Sequence, residues 1–283
     1  MLKQRVITAL ILAPIIVGGL FFLPPLGFAI FTGILVAIGG WEWANLSGVS
    51  ANAARVIYAL VIGAVMAASL FATAGYTLAV LWLVLAWWVC SFWLVSRYPS
   101  GTALWEPTPV RLLMGLPVLV GAWLGLNYLR SGDFSLGRLD NNLLLILFAF
   151  CIVWIADIGA YFAGRAWGKR KLAPNVSPGK SWAGVYGGVA AALLLAAVVA
   201  WLAECGFGQA VGLILISGVT ALVSVLGDLY ESMLKRLRGV KDSSQLLPGH
   251  GGVLDRVDSL TAALPVFALL LTLAGWLSPA AIA

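Results

Sequence analysis

The sequence predicts an all-α polytopic integral membrane protein of about nine transmembrane helices, N-terminus cytoplasmic and C-terminus outside. Three observations carry that prediction. Hydrophobic residues make up 62% of the 283 residues and charged ones 10%, whereas a soluble domain carries roughly 25% charged residues. Mean hydropathy is +1.01. Two long runs, 6–41 and 56–96, contain no charge. The basic residues also divide very unevenly between the two sides once nine spans are drawn.

The run 56–96 has 41 residues. As one helix it would be about 61 Å long, twice a bilayer core of roughly 30 Å, so each run must fold as a hairpin. Pro24-Pro25 breaks the first and Thr73-Ala74-Gly75 the second. This predicts helices near 6–23, 26–46, 54–73 and 77–96, then 110–129, 141–163, 183–203, 209–229 and 259–278. Met1-Leu2-Lys3-Gln4-Arg5 before an apolar run resembles the start of a signal peptide. The run is long, contains Pro14 and has no small-x-small cleavage site, so it reads as a retained first span.

With these spans, fifteen of the 17 Lys and Arg fall on cytoplasmic segments, and only Arg130 and Arg138 fall outside. That obeys the positive-inside rule. The net charge of +6 therefore reads as basic loops beside anionic membrane lipid, with no nucleic acid implied. Cys90, Cys151 and Cys205 form no CxxC pair, so neither a zinc site nor a disulfide framework is indicated. Gly121-xxx-Gly125 and Gly184-xxx-Gly188 permit close helix packing, within one chain or across a homodimer. There is no internal repeat and no low-complexity tail.

Residues 228–258 hold five of the chain's Lys and Arg, five of its 11 Asp and Glu, and its one His. If the preceding helix runs on, Asp228, Glu231, Ser232 and Lys235 stand at i, i+3, i+4 and i+7 and share a face. Asp255 and Asp258 share a face at the start of the next helix. Between them Pro248-Gly249-His250-Gly251-Gly252 is too glycine-rich to be helical and can bring backbone N–H groups to a ligand. Carboxylates at two helix ends, a basic segment and a Gly-rich turn suit Mg²⁺ plus phosphate.

Two acidic residues lie within or beside other spans. Asp157 sits deep in helix six and needs a partner or a watery cavity, which favours a site role. Glu42, in Trp41-Glu42-Trp43, reads as an interfacial residue among belt tryptophans rather than a site residue. Gly179-Lys180-Ser181 has the tail of a P-loop, but that motif needs Gly at 174, where the chain has Pro, and no strand is expected before it. Pro174 and Ser177-Pro178 instead mark an extended loop entering helix seven near Trp182.

Taken together, Ser232-x-x-Lys235-Arg236-x-x-x-x-Lys241-Asp242, then Leu247-Pro248-Gly249-His250-Gly251-Gly252-Val253-Leu254-Asp255-Arg256-Val257-Asp258, resembles the C-terminal motif of CDP-diacylglycerol synthases (phosphatidate cytidylyltransferases). Leu172-x-Pro174-x-x-Ser177-Pro178-x-Lys180-Ser181 is similar to that family's second cytoplasmic motif. The likeness is sharp over roughly 150–260 and only general in the first five helices. It implies a multi-pass enzyme of a bacterial-type inner membrane, its active site facing the cytoplasm. The reaction implied is cytidylyl transfer from CTP to phosphatidic acid, giving CDP-diacylglycerol and pyrophosphate, with Mg²⁺ and room for a second cation. One membrane domain, 1–283, is expected: residues 1–140 as lipid-facing scaffold and part of a cleft for the acyl chains, and 141–283 with catalytic loops 164–182 and 228–258.

The expected metal ligands are Asp228 and Asp255, supported by Asp258 and Asp157. Lys180, Lys235, Arg236, Lys241 and Arg256 would take phosphate charge. Ser177, Ser232, Gly249, His250, Gly251 and Gly252 would contact substrate. His250 is not expected to be a general base, because a phosphate nucleophile has no proton to lose at attack. Two rivals stand beside this reading. One is a lipid kinase, or a cytidylyltransferase for another lipid phosphate. The other is an ion-coupled transporter using Asp157 and Glu42, which leaves the charged stretch unexplained and lacks repeat symmetry.

Overall fold

A computed structural model describes residues 2–71 and 73–278; the side chains of 2–9, 12, 13 and 74 are outside the described set. Lys3 and Arg5, counted above as cytoplasmic charges, are among these. Among the described residues nine α-helices follow in order: α1 Leu2–Phe22, α2 Pro25–Leu46, α3 Asn52–Ser69, α4 Ala74–Ser96, α5 Thr108–Ser131, α6 Asn142–Trp167, α7 Trp182–Leu202, α8 Phe207–Arg238 and α9 Leu254–Leu273. Among the described residues, eight helices, α2 to α9, are long and apolar enough to cross a membrane. This is the all-α polytopic membrane fold the composition predicts.

The hairpin breaks lie where the turn residues put them. Pro24 is extended (ψ 163°) and Pro25 opens α2. Thr73 caps α4 by accepting from Tyr76 N–H at 3.4 Å. Among the described residues four short strands add to the helices. β1 (Asp133–Phe134) pairs with β4 (Leu277–Ser278) at one end of the bundle. At the other end β2 (Lys171–Ala173) and β3 (Ser177–Ser181) pair antiparallel. The segment expected as an extended loop is therefore a hairpin, and Ser181 caps α7 by accepting from Gly184 N–H at 3.2 Å.

The largest departure concerns α8, expected to end near 229. It has 32 residues, about 48 Å of helix, and runs past the apolar segment to Arg238. Its last turns persist because both of their faces have partners. Tyr230 and Met233 are buried beside Trp43 and Trp88, and Glu231 meets Lys235 one turn on, at 3.1 Å. Lys235, Arg236 and Arg238 complement the negative end of the helix, and Gly239, at φ 74°, ends it in the left-handed cap. Because α9 also starts early, only 239–253 of the charged stretch lies outside helices.

Contacts among the described residues gather the helix connections at two opposite ends of the bundle. The α2–α3 loop end, the β2–β3 hairpin and the α8–α9 loop meet at one end: Arg238 Nε donates to Asn45 O at 3.1 Å and Arg236 Nε to Val176 O at 3.1 Å. At the opposite end Arg138 pairs with Glu204, and Arg130 donates to Leu23 O at 3.2 Å. Both small-residue stripes are used within the chain. A Cβ on Gly125 would lie 2.6 Å from the Pro265 backbone of α9, and one on Gly188 2.6 Å from Ala156 O of α6. These close approaches bring α5 onto α9 and α7 onto α6.

Candidate active site

The face of α8 that begins at Asp228 splits into two sides. On the first, Asp228 accepts from Lys180 Nζ at 2.6 Å on Oδ2 and from the Ser232 hydroxyl at 3.1 Å on Oδ1. Lys180 comes from β3, so the hairpin carries this cation to α8. A cavity of about 390 Å³ opens here, lined by Asp157, Tyr161 and Arg165 of α6, by Lys180 and Ser181, and by the glycine face of α7. Asp157 is exposed toward it and lies within electrostatic reach of Lys180 and Asp228. It stands ten residues, about 15 Å of helix, before the end of α6. Gly184 and Gly188, which let α7 close on α6, also line this wall: a Cβ on Gly188 would lie 2.6 Å from Ala156 O.

On the second side of α8 the groups are sealed. Lys235 is buried, and its Nζ lies 2.8 Å from Asp255 Oδ1 and 3.1 Å from Glu231 Oε1. Asp255 Oδ2 accepts from Ser243 N–H at 2.8 Å, Ser243 Oγ at 2.9 Å and Gly252 N–H at 2.8 Å. Both Asp255 oxygens thus have protein donors. Gly251, at φ 82°, and Gly252 are glycines because carboxylates press on them. A Cβ on Gly251 would lie 2.7 Å from Asp255 Oδ2, and one on Gly252 would meet Ser243 Oγ and Glu42. The N–H of Gly252 points at the chain's own Asp255.

Asp258 stands between the sides, in electrostatic reach of Asp228, Lys180, Lys235 and Glu231. Its Oδ1 accepts from Ser259 N–H at 2.7 Å. Gly227 allows this approach, since a Cβ there would lie 2.5 Å from Asp258 O.

The other sequence-predicted residues lie around these two clusters. Arg236 holds the hairpin through Val176 O, and Ser177 pairs with Ala173 where β3 begins. Lys241 and Arg256 are exposed. Gly249 has φ 76°, and His250 N–H donates to Leu247 O at 2.8 Å, closing the turn. The imidazole Nδ1 of His250 is buried without a hydrogen-bond partner.

Glu42 requires a correction. It is 0% exposed, not interfacial. Its Oε1 accepts from Ser244 Oγ at 2.6 Å and Val253 N–H at 2.9 Å; its Oε2 accepts from Ser243 Oγ at 3.2 Å and Leu254 N–H at 2.7 Å. The signal that could have found it was its place at the edge of a 36-residue charge-free run, where an acidic residue marks a site by default. Ser243 and Ser244 gave no such signal.

The donor set on the open side fits Mg²⁺. Among the described residues no three Asp, Glu, His or Cys side chains already converge into a shell. Mg²⁺ usually takes one or two carboxylates and fills the rest with water and phosphate oxygens. Asp228 already holds a cation, the Lys180 ammonium, and Asp157 faces open space.

Beside the cavity runs a larger apolar groove of about 650 Å³, between α4, α7, α8 and the hairpin. Trp88, Phe92, Leu172, Leu226 and Leu229 line it, and Val185 and Val225 border both spaces. A charged chamber therefore adjoins a lipid-like one.

A model of the cytidylyltransferase family matches residues 3–274. The chain is 50% identical over 279 residues to the phosphatidate cytidylyltransferase of Pseudomonas aeruginosa, covering 99% of this chain and 100% of that one. It is 41% identical to the protein of the same name from Haemophilus influenzae, covering 94% and 97%, and 40% identical to that of Brucella suis, covering 93% and 90%. With a family model and similarity that both run along almost the whole sequence, the chain belongs to the cytidylyltransferase family.

Proposed function

We propose that the protein transfers the cytidylyl group of CTP to phosphatidic acid, giving CDP-diacylglycerol and pyrophosphate in phospholipid biosynthesis. The observation that carries this reading is the junction at Val185 and Val225, where the cavity holding Lys180 and Asp157 meets the apolar groove. A lipid phosphate has both halves of that chemistry, and one of its acyl chains takes the groove. A phosphate oxygen of phosphatidate forms the new bond to the α-phosphorus of CTP. The bond from that phosphorus to the β-phosphate oxygen breaks, and pyrophosphate leaves with the electron pair.

Lys180, Lys235, Arg236, Lys241 and Arg256 supply the positive field in which charge shifts toward pyrophosphate. Mg²⁺, when bound, would supply further charge neutralisation for the phosphates. Asp228 would hold it, with Asp157 and Asp258 in support, while Asp255 serves the site through Lys235 and the loop. Ser177, Ser232 and the turn from Gly249 through His250 to Gly251 are the proposed substrate contacts, while Gly252 gives its N–H to Asp255. The site faces the cytoplasm of a bacterial inner membrane, where the basic loops belong. The glycine stripes lend no support to a homodimer, because helices of the same chain occupy them.

The deciding assay gives purified protein in detergent labelled CTP, phosphatidate and Mg²⁺. Labelled CDP-diacylglycerol with equimolar pyrophosphate is expected. Phosphorylation of diacylglycerol from ATP, with no CMP transfer, would replace this reading with a kinase. Orientation is checked separately on a background without the three native cysteines. Gln245→Cys and Ser135→Cys lie at exposed positions of opposite ends. An impermeant reagent should label Ser135→Cys in intact cells and Gln245→Cys only after permeabilisation; the reverse would put the site outside.

A further inference from the structure

We propose that Glu42 is a positioning residue: from α2 it fixes the 243–253 loop to the first turn of α9, and through that loop it aligns Asp255, Lys235 and the His250 turn. The inference rests on the cytidylyltransfer reading for what is aligned, but the latch itself is a matter of geometry. Four donors from two places converge on one carboxylate. Ser243 and Ser244 open the loop, and Val253 and Leu254 close it. Glu42 therefore ties the two ends of the loop to a third helix. The N–H groups of Val253 and Leu254 lie at the start of α9, where no intrahelical acceptor exists, and Val253 makes no side-chain cap of its own. The cap comes from a helix 211 residues earlier in the chain.

The latch is joined to the catalytic groups by short links. The Ser243 hydroxyl lies 3.2 Å from Glu42 Oε2 and 2.9 Å from Asp255 Oδ2. With one proton it bridges two carboxylates, donating to one at a time. Asp255 in turn holds Lys235. Asn45, one turn along α2, donates to Ser243 O at 3.1 Å, and Arg238 grips Asn45 O from α8. The end of α2 thus holds both the loop and the end of α8. Gly252 completes the arrangement, because any side chain there would displace Glu42.

An amide cannot replace this carboxylate. The hydroxyls of Ser243 and Ser244 can rotate to accept from an NH₂ group. Each carboxylate oxygen also takes one backbone N–H, from Val253 or Leu254, and a backbone N–H cannot turn into an acceptor. Glu42→Gln must therefore leave one of those two N–H groups facing a donor, in either amide orientation.

The test measures steady-state kinetics and backbone hydrogen exchange on Glu42→Gln in detergent. Expected is a fall in kcat of about ten- to hundredfold, the scale of a misplacement near 1 Å, with KM for phosphatidate within about twofold. Exchange at the amides of 243–254 should quicken at least tenfold, with α6, α7 and the first turns of α8 unchanged. Wild-type kcat with a fast-exchanging loop would overturn the proposal, since the loop's position would not matter. A lower kcat with wild-type loop exchange would overturn it too, since Glu42 would act by another route. Faster exchange throughout, with activity tracking the folded fraction, would reduce Glu42 to a fold-stabilising residue and also overturn it. If Glu42→Gln does not accumulate, Ser243→Ala/Ser244→Ala keeps both backbone bonds and should give a graded form of the same pair of effects. No change in either measurement overturns the proposal there. The exchange arm needs no turnover, so loss of the latch and failure of the cytidylyltransfer reading are separate results.

Discussion

The two sides of α8 use the same residue types for opposite ends. Toward α7 and the hairpin, Asp228 has one ammonium and one hydroxyl, and its neighbour Asp157 opens on a cavity. Toward α9 and the loop, Asp255 takes four donor contacts from the protein and Glu231 is buried against Lys235. A carboxylate with few protein partners beside open space can exchange a lysine for another cation. A carboxylate whose oxygens are both taken holds its donors in place. Under the proposed function, the number of donors already in place separates a metal ligand from a carboxylate that holds the loop.

Substituting each carboxylate by its amide breaks that comparison if it is wrong, and the largest effect is expected here. Asp228→Asn removes the charge that holds a hard cation. It should lower turnover by about a thousandfold or more, the scale of losing a transition-state charge partner, while the protein inserts and elutes normally. Part of the loss should return at high Mg²⁺. Asp255→Asn should also lose turnover, but with destabilisation on the order of 2–3 kcal/mol, because Lys235 is left buried with one weakened partner, and with no recovery at high Mg²⁺. Thermal unfolding and a Mg²⁺ titration on both variants check this. Equal Mg²⁺ rescue of the two would make Asp255 a direct ligand and erase the distinction.

The spacing at 228, 231, 232 and 235 predicts one helix face, and the helix is there. At about 100° per residue those four positions cover an arc of about 100°, wide enough to meet two neighbours. Asp228 and Ser232 lie at one edge and Glu231 and Lys235 toward the other, so the face divides between the hairpin and α9. Periodicity tells which residues share a surface; it does not tell what packs there. The same limit hid Glu42. Its four donors lie between 201 and 212 residues away, and nothing in Trp41-Glu42-Trp43 marks the loop it holds. The nine helices were legible because they follow from local apolarity and turn residues. The end of α8 was not, because hydropathy falls at Asp228 while ion pairs and buried aromatics carry the helix on to Arg238.

The smallest effect is expected at His250, which sits on the closed side, in the loop that Asp255 and Glu42 hold. Its backbone N–H closes the turn onto Leu247, and its Nδ1 is buried without a hydrogen-bond partner. If this imidazole were a general base, the chemistry would belong to the sealed side of α8 and the comparison above would fail. The proposed nucleophile gives it no proton to take. A phosphomonoester has a second pKa of roughly 6 and is mostly dianionic at neutral pH, and the leaving pyrophosphate requires charge neutralisation more than protonation. His250→Gln keeps a hydrogen-bonding side chain of similar reach. It should lose less than the roughly hundredfold expected at least for a general base and leave the shape of the pH–rate profile unchanged. A profile that loses its rising limb in the variant, with rate recovered at high pH, would make His250 a proton acceptor. The nucleophile would then be a hydroxyl, as in a lipid kinase.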